Sequence, residues 1–172
     1  MIIYLGTDHA GFELKEKLKA YLQAKEHIVI DKGAYELTPG DDYPDFIAPV
    51  AQAISDNADE ARGIIFGWSG EGEAMLANRF SHVRAAVYYG GTFDVIELSR
   101  KHNDANVLSL GAHFITPEQG KAALDVWLAT AYEGGRHVAR LQKMEEARDL
   151  MEAGKMNQAE VASESAEDPQ EN

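Results

Sequence analysis

The chain has 172 residues, 45% of them apolar, with 29 acidic residues against 16 Lys and Arg and a net charge of −13. That length and apolar fraction fit one α/β domain around one core, and the acidity argues against non-specific nucleic-acid binding, which needs a surplus of cations facing phosphate. The absence of cysteine excludes disulfides, thiolate zinc sites and a catalytic thiol.

Ile2 to Gly6 is a short apolar run that opens the chain and leads into Thr7-Asp8-His9-Ala10-Gly11, which reads as a buried strand ending in a polar turn. No run of 18 apolar residues follows anywhere, so no membrane span or signal peptide is expected, and the location expected is cytoplasmic. Leu14, Leu18, Tyr21 and Leu22 recur at helical spacing from Phe12 to Lys25, with Glu13 and Lys17 paired on the wet side. His27 to Asp31 reads as a second strand. Residues 33–44 hold two Gly, two Pro and three acidic residues, a long loop of the kind that often carries function. Pro44 suits the first turn of a helix with Ile47, Val50 and Ile54 on one stripe, ending near Asn57.

Gly63 to Gly67 is a third strand, followed by Trp68-Ser69-Gly70-Glu71-Gly72-Glu73 and then by helix formers from Ala74 to Arg79. A fourth strand is expected over 84–88, a helix over 92–101, a fifth strand over 107–110, a helix over 117–129 and a last helix from about Gly134 to Ala153. Residues 154–172 contain five acidic residues, one Lys and no aromatic, an acidic tail expected to be disordered or loosely attached beyond a single domain over 1–153. Strands alternating with helices imply βαβ units and a doubly wound parallel sheet covered on both faces. Ligands bind such sheets beyond the carboxyl ends of the strands.

The turns at those ends are Thr7 to Gly11, Gly67 to Glu73 and the segment after Leu110. In the Gly67–Glu73 turn, Gly70 and Gly72 let main-chain N–H groups converge at a helix start, either to cradle an anion or only to make a tight connection. Glu73, in the first helical turn, is either a general base facing that anion or a residue complementing the helix dipole. Asp8 and His9 project from the first strand end, one able to orient and the other to donate. The polar stretch His102-Asn103-Asp104-Ala105-Asn106 precedes the fifth strand and reads as functional or as capping and turn chemistry. Arg136 and Arg140 share one face of the last helix and either clasp a phosphate or pair with Glu133 or Glu145. No local spacing suits a metal and no dinucleotide or nucleoside-triphosphate loop is present, so neither a metal nor a cofactor is expected.

Taken together, Gly6 to Lys15, Asp42-Tyr43-Pro44-Asp45, Gly67 to Asn78, His102 to Leu108 and Glu133 to His137 resemble the type B ribose-5-phosphate isomerase family, which includes galactose-6-phosphate isomerase subunits. The resemblance spans about Met1 to Met144. It implies a five-stranded flavodoxin-like sheet and a homodimer, or a tetramer built from it, with the active site shared between subunits. The reaction it implies is ribose 5-phosphate to ribulose 5-phosphate by proton transfer through an enediolate. One branch of the family has Cys where this chain has Gly67; this chain resembles the other, which uses a Glu at the position of Glu73. By the same carry-over His102 is the ring-opening acid with Asp8 assisting, and Asn103 contacts the sugar. Ser69, Gly70 and Gly72 line the anion hole, His9, Arg136 and Arg140 hold the phosphate, and Tyr43 packs beside the sugar.

Three positions depart from the family pattern. Trp68 replaces a usual Gly, Glu71 adds a carboxylate to the anion loop, and His113 stands where Arg is common, making one phosphate charge titratable. They leave open an isomerase of a four- or six-carbon sugar phosphate. A non-catalytic phosphate-binding module on the same fold is the alternative from another class.

Overall fold

Five short runs rich in branched apolar residues pair as one parallel sheet: β1 (Ile2–Thr7), β2 (Ile28–Asp31), β3 (Ala61–Gly67), β4 (Ala85–Tyr88) and β5 (Val107–Gly111). The structure, a computed structural model, describes residues 1–166, with side chains described through 150 and at 153 and 154. The period-2 alternation of strands sends neighbouring side chains to opposite faces. Ile64 and Phe66 of β3 therefore join one core cluster with Leu14, Leu18 and Leu22 of α1 (Phe12–Ala24), Ile96 of α4 (Asp94–Asn103) and Trp127 of α5 (Pro117–Ala129). Ile65 joins the other with Ile47, Val50 and Ile54 of α2 (Pro44–Asp56) and Ala77 of α3 (Glu71–Ala77). This is the doubly wound sandwich expected from the alternation of elements.

The strand order is β2-β1-β3-β5-β4, so β5 lies inside β4 rather than at the edge. Thr7 pairs with Phe66 and Gly67 with Gly111, which sets the carboxyl ends of β1, β3 and β5 side by side at the centre of the sheet. The residues that follow these three ends build the site.

Helix limits depend on caps. α5 begins where Thr116 and Gln119 form a reciprocal capping box, the Thr116 hydroxyl accepting from the Gln119 N–H at 3.2 Å and the Thr116 N–H donating to the Gln119 amide at 2.8 Å, with Pro117 in the first turn. Two helices run further than the sequence suggested. α4 continues through Asn103, which places His102 and Asn103 in its last turn instead of in a connecting loop. The last helix, α6 (Arg136–Ala166), passes the stop expected near Ala153. The chain divides into two units, residues 1–133 with the whole sheet and residues 134–172 with α6. The acidic tail expected from residue 154 falls partly on α6 and, for residues 167–172, outside the described residues. Among the described residues no helix is long and apolar enough to cross a membrane.

One charge is fully buried in the first unit. Lys15 has no exposed surface, and its Nζ donates to both Asp31 oxygens at 2.9 Å and to the Ala34 carbonyl at 2.5 Å. Together with the Thr7–Gly33 and Ala34–Thr7 main-chain bonds, it anchors the start of the 33–43 segment to the end of β1. Burial works to raise the Asp31 pKa, but hydrogen bonds from Lys15, Lys19 and the Gly33 N–H outweigh it and hold the carboxyl below its ordinary value of 3.8. Because the folded pKa is depressed, this contribution to stability is complete above the unfolded value and is lost as pH falls through the folded one. Lys15→Met keeps the side-chain volume and strands the Ala34 carbonyl and half of the Asp31 pairing. We expect urea unfolding at pH 7 to show a loss of about 3 kcal/mol, and a weaker acid dependence than in the parent chain.

Candidate active site

Thr7 bridges the two central strand ends, its hydroxyl donating to the Phe66 carbonyl at 3.1 Å. The next residue, Asp8, is buried, and its Oδ1 accepts the Ala10 N–H at 2.9 Å in the turn that starts α1. Burial raises the Asp8 pKa, with the Ala10 N–H and the His9 ring opposing the rise. His9 turns the other way. Its backbone N–H and its Nδ1 both lie 2.7 Å from one oxygen, Oδ1 of Asp41.

Glu73 is the third residue of α3 and is only 5% exposed. Burial pushes its pKa up, its own main-chain N–H works against the rise, and the nearby Asp8 charge adds to it. Two buried carboxyl groups with raised pKa values thus influence each other at the carboxyl ends of β1 and β3, an arrangement more frequent at acid–base sites than among surface carboxylates. The position of the Glu73 carboxylate explains Gly67. A Cβ on residue 67 would lie 1.9 Å from Oε1 of Glu73, so the carboxylate fills the space that any side chain at 67 would need.

The loop between β3 and α3 is fixed from the β5 side. The Ala112 N–H donates to the Gly67 carbonyl at 2.9 Å, the His113 N–H to the Trp68 carbonyl at 3.1 Å, and the Ser109 hydroxyl to the Gly70 carbonyl at 2.6 Å. Gly70 has φ +83°, a left-handed conformation that L side chains rarely adopt, and this turns the chain into α3. Tyr43 packs on the same turn, its ring 3.1 Å from where a Cβ of Gly72 would stand.

The departures Trp68 and His113 meet. Their rings stack with centroids 4.1 Å apart and planes 16° from parallel, and Phe114 stands edge-on to both at 5.1 Å. Trp68 is 55% exposed, so the ring turns outward as a wall on the loop. Glu71 is exposed and lines a separate cavity of about 160 Å³ with Tyr88 and Tyr89 at the β4 end, leaving Glu73 as the buried carboxylate of the loop.

Other sequence candidates lie elsewhere. His102 and Asn103 end α4 just before β5, and the Asn106 carbonyl accepts the Gly63 N–H at the start of β3. They therefore stand at the amino edge of the sheet, separated from the Gly67–Gly111 end by the length of five-residue β5, about 13 Å. One chain does not bring His102 to Glu73. The His102 Nε2 lies 3.9 Å from a Glu133 oxygen. Arg136 and Arg140 occupy the first turns of α6 and are exposed. Asp41 escaped the sequence reading: the 33–44 loop stood out as functional, but nothing local connects residue 41 to residue 9. The polar atoms of Asp8, His9 and Asp41 all lie within 4.8 Å of one another, with the His9 ring nitrogen between the two carboxylates.

The Ribose/Galactose Isomerase family model matches residues 3–144. Ribose-5-phosphate isomerase B of Escherichia coli is 38% identical over 143 residues, 81% of this chain and 91% of that protein. The protein of the same name from Mycolicibacterium paratuberculosis is 35% identical over 148 residues, 85% and 91% of the two chains. The crystal structure of ribose-5-phosphate isomerase B from Mycoplasma genitalium with bound ribulose-5-phosphate has a TM-score of 0.82 at 34% identity, covering 86% of this chain and 96% of that one. Parallel sheet, carboxyl-edge cleft and these likenesses define a sugar-phosphate isomerase. The chain belongs to the Ribose/Galactose Isomerase family.

Proposed function

We propose that this isomerase interconverts ribose 5-phosphate and ribulose 5-phosphate through an enediolate, with Glu73 as the base. The observation that carries it is the Glu73 carboxylate, buried beside Asp8 and seated over Gly67 at the carboxyl edge of the sheet. With the open-chain aldose in place, Glu73 takes the proton from C2 and the electron pair moves onto the C1 carbonyl. The main-chain donors of Ser69, Gly70 and Gly72 receive the resulting oxyanion; one such donor is worth about 2.7–4 kcal/mol in acyl-transfer sites. The proton on Glu73 exchanges with water while the enediolate lasts, and Glu73 then delivers a proton to C1 as the O2 proton leaves for O1, which makes the ketose. Burial gives the carboxylate the basicity that a carbon acid requires.

His9, Arg136 and Arg140 hold the phosphate in this proposal, Tyr43 borders the sugar, and the Trp68–His113 stack closes one side. A cytoplasmic location belongs to the same proposal. His102, the ring-opening acid with Asp8 assisting, and Asn103, which contacts the sugar, come from a second copy of the chain. Their place at the far edge of the sheet supports a homodimer with shared sites.

Complementation tests the shared site. Glu73→Gln and His102→Ala are expected to be inactive alone on ribose 5-phosphate, and after unfolding and refolding together to recover about a quarter of the parent activity, because half of the randomly paired dimers carry one intact site of two. No recovery on mixing would overturn the shared site. The Trp68–His113 stack, standing where the family pattern has Gly and Arg, favours one further comparison, of aldose phosphates of different length. Turnover of a four- or six-carbon aldose phosphate in preference to ribose 5-phosphate would move the substrate, and phosphate binding without any turnover would move the class.

A further inference from the structure

His9 is held in an unusual way for a residue at an open cleft. A single oxygen of Asp41 receives both its main-chain N–H and its ring Nδ1, at 2.7 Å each. With Nδ1 donating to a carboxylate, the tautomer is set and Nε2 is the nitrogen left to meet a ligand. The second Asp41 oxygen is buried with no hydrogen-bond partner, so the Asp41 negative charge is balanced mainly through the His9 ring. Asp8 adds a further oxygen 3.9 Å from Nδ1. His9 lines a cavity of about 320 Å³ together with Glu13 and Lys17 of α1 and Ala112, Ile115 and Pro117 of the β5–α5 connection. The titratable groups facing it are thus Asp8 from the β1 end, Asp41 from the 33–43 segment, and Glu13 and Lys17 from α1.

We propose that Asp41 is a positioning residue that holds the His9 ring through Nδ1 and leaves Nε2 facing the cleft, where it binds the phosphate of the substrate. The proposal rests on the assignment of His9 to the phosphate made above. In a chain with net charge −13 a phosphate is repelled at long range, and a neutral imidazole whose Nδ1–H is given to Asp41 presents only the Nε2 lone pair, which cannot donate to it. A charged imidazole offers a charge-assisted hydrogen bond. The shift of the His9 pKa agrees in direction: the Asp41 hydrogen bond raises it, and the Asp8 and Asp41 charges add to the rise against the cost of burial. The two acidic groups that seem to work against anion binding are what make it possible.

The test is Asp41→Asn in the full chain, read in two ways. Imidazole NMR titration is expected to place the His9 pKa above 6.5 in the parent chain and lower in the variant than in the parent, with inorganic phosphate raising it in the parent and much less in the variant. Steady-state kinetics are expected to show KM for ribose 5-phosphate up about tenfold near pH 7.5, with a much smaller change in kcat, and the alkaline limb of 1/KM displaced to lower pH. Asp41→Glu, which keeps the charge, restores most of both. An unchanged His9 titration in Asp41→Asn overturns the proposal, as does a lowered pKa that leaves KM and phosphate binding alone. If Asp41→Asn does not fold, a parent His9 titrating at or below 6.5 overturns it. The NMR arm reads Asp41 and His9 without turnover, so failure of the isomerase assignment would be seen separately.

Discussion

Glu73→Gln is expected to fold like the parent chain and to lose about 10²–10⁴-fold in kcat on ribose 5-phosphate, the range ascribed to a positioned general base. The substitution keeps the shape of the side chain and removes only its capacity to take a proton. It also separates activity from stability. Burial raises the Glu73 pKa above its ordinary 4.5, so the parent chain is more stable with this group protonated and gives up that contribution as pH rises through the folded value. Gln is neutral at every pH and carries no such cost. Thermal unfolding at pH 7 is therefore expected to leave the variant at least as stable as the parent, an exchange of stability for function found at strained sites. A variant that loses activity together with its folded structure would not count in favour of the base.

Gly67→Ala is the second large effect, and it is reached without touching any proposed catalytic group. The added methyl would lie 1.9 Å from one Glu73 oxygen and 2.5 Å from the other. What it meets is the far end of a flexible side chain, so the cheap relief is for Glu73 to swing away while the sheet stays intact. We expect an ordinary unfolding transition and a fall in kcat of about 10²-fold, in line with the cost of misplacing a reacting group by an ångström or so. Circular dichroism and steady-state kinetics check it. Full activity in Gly67→Ala would mean that the carboxylate does not need its present seat.

Much of this was written locally. The strands announce themselves as short branched apolar runs, and α5 matches at both ends because Thr116, Pro117 and Gln119 supply a complete start signal. The places of Asp8 and Glu73 at the carboxyl edge were legible because one follows a strand end and the other a glycine turn. The order of β5 and β4 was not legible, since alternation of elements dictates parallel pairing but not which strand is the edge. His102 and Asn103 illustrate the cost: their distance from Glu73 follows from the end of α4 and the register of β5, neither of which has a local signature. Asp41 and the Trp68–His113 stack were hidden for a related reason, being contacts across 32 and 45 positions that only the folded chain creates. Two departures noted separately in the sequence turn out to face each other.

The most direct measurement is solvent deuterium incorporation during turnover of ribose 5-phosphate in D2O, followed by proton NMR at C2 of the aldose and C1 of the ketose, for the parent chain and for Glu73→Gln. If Glu73 carries the proton, the parent places deuterium at C1 of the ribulose 5-phosphate formed, and exchange in the variant is slowed by about the same 10²–10⁴-fold as its kcat. Exchange by Glu73→Gln at the parent's rate would assign the base to another group.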